Sequence, residues 1–145
     1  MSEEQATYLC SLSAQELRIG NWVYDGERTQ FPMQVVALGK DWAHLDFPGN
    51  EGGVWEADIK DLRAIPLTKE FFTRGGFIEQ VDCDEYGTYM RRTDLRTEVI
   101  ETSEGWSVHI DDDHFMSVFG KCIKFVHEFQ NAYHVSAGKE LEVQL

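Results

Sequence analysis

From Gly20 to Pro66 the chain breaks into runs of four to six residues, each apolar or alternating and each closed by a turn or loop residue. Runs that short are too brief for helices with a buried face, so this stretch can build little except a small antiparallel β structure. The strand NWVY stops at Asp25-Gly26, a dipeptide that favours a type I′ hairpin turn. MQVVAL follows, then Gly39-Lys40 as a turn, then WAHLDF. In that last run Ala43, Leu45 and Phe47 share one face, while Trp42, His44 and Asp46 share the other. Pro48 to Gly53 reads as a loop, VWEA as a fourth strand, ADIKD as a single 3₁₀ turn and LRAIP as a fifth strand. This order predicts a five-stranded SH3-like small barrel, which together with an N-terminal lead-in at residues 1–12 makes up a unit over residues 1–66. Its expected core is Val23, Val35, Ala37, Leu45, Phe47, Ile59, Leu62 and Ile65. Ahead of it, Ser13 and Glu16 have capping-box spacing around one helical turn from Ala14 to Leu17.

Pro66 ends that unit, and residues 67–145 read as a second, α+β one. Thr68 occupies an N-cap position, Leu67 and Phe72 have the spacing of a hydrophobic staple, and Gly75-Gly76 stops the resulting short joint helix. FIEQVDC, TYMRRT, RTEVIET, WSVHI and HFMSVF then form an antiparallel meander separated by short polar turns. A closing helix from about Lys124 to Ala137 places Phe125, Phe129, Ala132, Tyr133 and Ser136 on one stripe, with Gly138 as its stop. Leu141, Val143 and Leu145 alternate with polar residues, which predicts a final strand. The whole is α+β: a small barrel, a joint helix, and a meander sheet packed by one helix.

Charge narrows the function classes. The formal net charge is −13, with 5 basic against 11 acidic residues before Pro66 and 8 against 15 after it. The halves carry −6 and −7, so the acidity is spread rather than held in a tail. Such a surface repels phosphate backbones and anionic lipid, which argues against direct nucleic-acid or membrane binding. Cys10, Cys83 and Cys122 are widely spaced and match no zinc pattern. No apolar run reaches membrane-spanning length and the first residues are acidic, so reduced thiols in a cytoplasmic protein are the expectation.

ELRIGNWVY, IPLTKEFFTRGGF and IKFVHEFQNAYHVSAGKEL resemble three landmarks of a group of small uncharacterised proteins. These occur in Bacteroides-type gut bacteria, commonly in phages, prophages and other mobile elements. Their pattern is an RIGN-hydrophobic opening, a central PLT-helix-GF, and a closing YVHxLQN helix followed by GxEL. Here Phe125 replaces the usual Tyr and Phe129 the usual Leu. The resemblance implies a fold and a genetic setting; it implies no reaction and transfers no functional residue.

Among chemical constellations, His109-Ile110-Asp111-Asp112-Asp113-His114 is the best metal candidate, with His109, Asp111, Asp113 and His114 as ligands for zinc, iron or manganese. The plainer reading, an aspartate turn between strand ends, has precedence. His127, Gln130, Asn131 and His134 form a polar row on the closing helix; the histidines are seven residues apart, too far to grip one ion as HExxH does. Packing or capping takes precedence over catalysis there. No nucleophile motif and no phosphate-binding Gly-rich loop is present. Arg91, Arg92 and Arg96 form the only basic cluster and read as partners for neighbouring acids. Trp22, Tyr24 and Trp42 fall on outward faces of barrel strands, where aromatics either build a peptide groove or cover a seam.

The expectation is therefore a cytoplasmic, non-enzymatic module of mobile-element origin. It needs no cofactor and binds a host or phage protein through Trp22, Tyr24 and Trp42. The alternatives are a metal-dependent enzyme at the His109–His114 segment, and an acidic decoy for a DNA-binding protein.

Overall fold

Two compact units divide the chain between Ile65 and Pro66. The computed structural model describes residues 12–26, 28–50, 53–80, 88–111, 116–118 and 122–145, with the backbone path alone at 28–30 and 116–118.

In the first unit the short runs become β1 (Trp22–Asp25), β2 (Arg28–Leu38), β3 (Trp42–Asp46), β4 (Trp55–Asp58) and β5 (Leu62–Ala64). All pairings are antiparallel and the sheet order is β4-β3-β2-β1-β5. The single 3₁₀ turn expected within ADIKD forms at Ile59–Asp61, directly ahead of β5. Among the described residues no ladder joins β4 to β5, so the hydrogen-bonded sheet is open at its two ends. The core combines Val23, Met33, Val35, Ala43, Leu45, Ile59, Leu62, Ala64 and Ile65, all buried, and sealing each large aliphatic side chain from water stabilises the unit by about 1.5–3 kcal/mol.

Three local expectations change. The β1–β2 register pairs Asp25 with Arg28, which puts Asp25 inside the strand, and Gly26 lacks the positive φ that a type I′ turn demands. A bulge between Val35 and Ala37 leaves Val36 exposed and pairs Ala37 with His44, so Ala37 is only half-buried. Phe47 lies just past the end of β3 and is also half-buried.

The second unit opens with α1 (Lys69–Arg74). Thr68 caps it, its Oγ1 accepting from the Phe71 N–H at 3.1 Å. Beyond the Gly75-Gly76 stop come β6 (Ile78–Glu79), β7 (Tyr89–Arg92), β8 (Thr97–Thr102), β9 (Gly105–Asp111) and β10 (Met116–Val118). They form one antiparallel sheet in the order β10-β9-β8-β7-β6. One row of the sheet, Met90 to Val99 to Val108, is buried. The last helix, α2, runs Val126–Ala137 and ends at Gly138, which adopts φ 73. Glu128 Oε1 accepts from the backbone N–H groups of Lys124 and Phe125, satisfying the helix start.

Aromatic rings fill the space between. Phe72 stands 4.6 Å from Trp106, 5.2 Å from Phe77 and 5.2 Å from Phe129, centroid to centroid, in tilted or edge-on arrangements that suit ring quadrupoles. The short helix read as a joint is thus a core element of the second unit, burying Phe71 and Phe72. The expected final strand does not form: residues 139–145 adopt no regular structure. Among the described residues, no helix is long and apolar enough to cross a membrane.

Candidate functional site

Cross-strand register decides which side chains of the first sheet stand together, because directly opposed residues share a face. Arg63, Tyr24 and Pro32 form one row across β5, β1 and β2. Trp22, Gln34 and Asp46 form a second across β1, β2 and β3. His44 opposes Glu56 and Trp42 opposes Asp58. Trp22, Tyr24 and Trp42 therefore lie on the side opposite the buried Val23, Val35 and Leu45. Trp22 and Tyr24 are half-buried, whereas Trp42 is 38% exposed with its ring 4.7 Å from that of His44. They do not merge into one patch. Trp42 lies four residues along β3 from the Asp46 that aligns with Trp22, about 13 Å at ordinary strand rise, and β2 runs between them.

Sequence reasoning passed over Trp55. Its register partner is the buried Leu45, so alternation assigns it to the core side. Yet β4 is an edge strand, and the indole remains 40% exposed. Trp55 borders a groove of ≈ 580 Å³ whose described lining also includes Asp25, Glu56, Asp58, Asp61 and Arg63. Arg63 is turned to the backbone: its Nη1 donates to the carbonyls of Lys60 at 3.0 Å and Leu62 at 2.8 Å.

The second unit does not assemble a metal centre among its described residues. His109 and Asp111 lie two apart on β9, sharing a face, and Ser107 Oγ stands 3.2 Å from His109 Nε2. Glu98, the register partner of His109, is paired instead with Arg91 at 3.5 Å. Asp113 and His114 lie outside the described residues, as do Cys10 and Cys83. Among the described residues no group of three or more His, Cys, Asp or Glu side chains is placed to hold a metal ion. Cys122 is half-buried with its Sγ 3.4 Å from Thr102 Oγ1.

The polar row on the last helix divides. His127 and Gln130 are each 1% exposed, so they belong to the buried side with Val126, Phe129 and Tyr133, while Asn131 and His134 are half-buried. The stripe is centred one residue away from the sequence expectation because Phe125 is the N-cap, outside the helix, and Val126 starts the buried face. Of the arginines, Arg91 meets Glu98, and Arg92 grips Asp94 through Nε at 2.9 Å while Nη1 donates to the Gly75 carbonyl. The Arg92 hydrogen bonds hold the Asp94 carboxyl below its ordinary range, and burial pushes the Tyr133 phenol up.

The segments that carry the resemblance turn out to be architectural. Asn21 is fully buried; its Oδ1 accepts from the Arg18 N–H at 2.7 Å and its carbonyl from the Val35 N–H at 2.8 Å, while Gly20 takes φ 101. Pro66 bridges to Phe125, and the Leu67 N–H donates to the Lys124 carbonyl at 2.8 Å. Against known proteins, no family model, no curated protein and no solved structure matches the chain.

Proposed function

We propose that the chain is a non-enzymatic, protein-binding accessory module whose first unit is an SH3-like small barrel. Its outer wall engages a host or phage protein in a reducing cytoplasm. The meander β1–β4, the 3₁₀ turn ahead of β5 and the return of β5 beside β1 support the barrel reading. The resemblance to mobile-element proteins supports the setting. The observation that carries the binding role is the exposed face of the first sheet, where Trp42 keeps 38% of its surface in water and Trp22 and Tyr24 are incompletely covered. Aromatic side chains offer large contact area at low entropic cost, and they dominate binding energy at protein interfaces.

The test is selection of displayed random peptides on the full chain. Trp22→Ala combined with Trp42→Ala, with unchanged circular dichroism, is expected to weaken the selected ligands by about tenfold or more. Ligands that bind this double variant as they bind the wild type would remove the outer wall as the binding surface.

A further inference from the structure

The groove bordered by β4 and β5 has one-sided chemistry. Asp25, Glu56, Asp58 and Asp61 supply four carboxylates, Trp55 an indole, and Arg63 the only cation among the described residues that line it. Arg63 faces the Lys60 and Leu62 carbonyls, and among the described residues no ion pair engages Glu56, Asp58 or Asp61. The carboxylates of Glu56, Asp58 and Asp61 repel one another, and a cation entering the groove relieves that repulsion. The carboxylates are also dispersed: among the described residues they form no cluster that would hold a metal ion. A spread of negative charge along ≈ 580 Å³ fits a cation of matching length rather than a point charge.

Two further features select a polypeptide. Among the described residues β4 pairs with β3 alone and β5 with β1 alone, so the strands at the groove are sheet edges, where an extended segment can add backbone hydrogen bonds. Trp55, 40% exposed in the same groove, offers a ring face on which a guanidinium can stack. Nucleic acid is excluded by like charge.

We infer that this groove takes an extended, arginine- or lysine-bearing segment of a partner protein, laid along the β4 and β5 edges with a cationic side chain on Trp55. The inference rests on the reading of the first unit as a protein-binding module and names the chemistry of the partner.

Fluorescence anisotropy on the full chain tests it, with a labelled decapeptide alternating arginine and threonine as probe and its glutamate–threonine counterpart as reference. The arginine peptide is expected to bind at least about tenfold tighter than the reference, and Glu56→Gln, Asp58→Asn and Asp61→Asn together to cost about tenfold or more. A control triple with the same charge change on the second unit, Glu101→Gln, Glu104→Gln and Glu142→Gln, is expected to stay within about twofold of the wild type. Equal binding of the two peptides, a groove triple that binds as wild type, or a control triple that loses as much would each overturn the inference. If Trp22→Ala with Trp42→Ala abolishes the library ligands while the groove triple leaves the arginine peptide untouched, the outer-wall reading stands and the groove falls. The opposite pattern upholds the groove and removes the outer wall.

Discussion

Gly26 is constrained by its neighbour more than by its turn. A Cβ at this position would overlap the Asp61 carbonyl oxygen, which belongs to the 3₁₀ turn and has little freedom to retreat. Gly26→Ala is therefore expected to cost about 1–3 kcal/mol, read as a lower urea midpoint with unchanged slope. Gly49→Ala makes the comparison: φ is 92 but nothing lies within 4 Å, so only backbone strain of about 1 kcal/mol is expected. Tyr133 gives a second prediction, with a definite sign. Burial raises its phenol above the ordinary 10.0, so the neutral ring contributes stability that is complete below the unfolded value and is lost as pH rises through the folded one. Tyr133→Phe should accordingly lessen the alkaline loss of stability, measured as urea midpoints on either side of pH 10. An equal alkaline loss in both proteins would contradict it. Neither constraint is legible in the sequence, because each depends on a residue distant along the chain. Asn21 is half of this kind: its side-chain bond to Arg18 is local, but the bond its carbonyl accepts from Val35 lies fourteen residues away.

Elements were far more legible than their edges. Alternation and turn residues located all five strands of the first unit, the 3₁₀ turn, and the capped helix after Pro66, since each rests on interactions within a few residues. Errors arose where a distant partner decided. The bulge at Val36 is set against β3, and the alternating tail after Gly138 stays irregular because alternation stabilises a strand only beside another strand. The exposure of Trp55 escapes the sequence for the same kind of reason: periodicity gives a face but not whether that face is covered. In α1 the cap and the core contributions separate cleanly. Thr68→Ala removes one hydrogen bond to Phe71 and should cost about 1 kcal/mol. Phe72→Ala removes the ring shared by Trp106, Phe77 and Phe129 and should cost about 3–5 kcal/mol. Urea midpoints of the two variants check the order. A cap variant as damaging as the core variant would show that the helix start, not the aromatic cluster, holds the second unit together.

The net charge of −13 acts on the molecule as a whole, and salt distinguishes its two consequences. With 26 acidic residues against 13 basic ones, at least half of the carboxylates have no basic residue to balance them, and their mutual repulsion opposes compactness and is screened by ions. The ion pairs Lys69–Glu79, Arg74–Glu70, Arg91–Glu98 and Arg92–Asp94 all have solvent-accessible side chains, so their loss to screening is small. Repulsion thus outweighs these attractions, and stability should rise as sodium chloride is added from low to physiological ionic strength. Binding of a cationic segment in the β4–β5 groove must move the other way, because the same ions screen its attraction to Glu56, Asp58 and Asp61. Urea midpoints and peptide anisotropy measured over one salt series should therefore show opposite slopes. If both fell with salt, local ion pairs would outweigh the net field in the fold; if both rose, burial of apolar surface against Trp55 would carry the binding and the carboxylates would be bystanders.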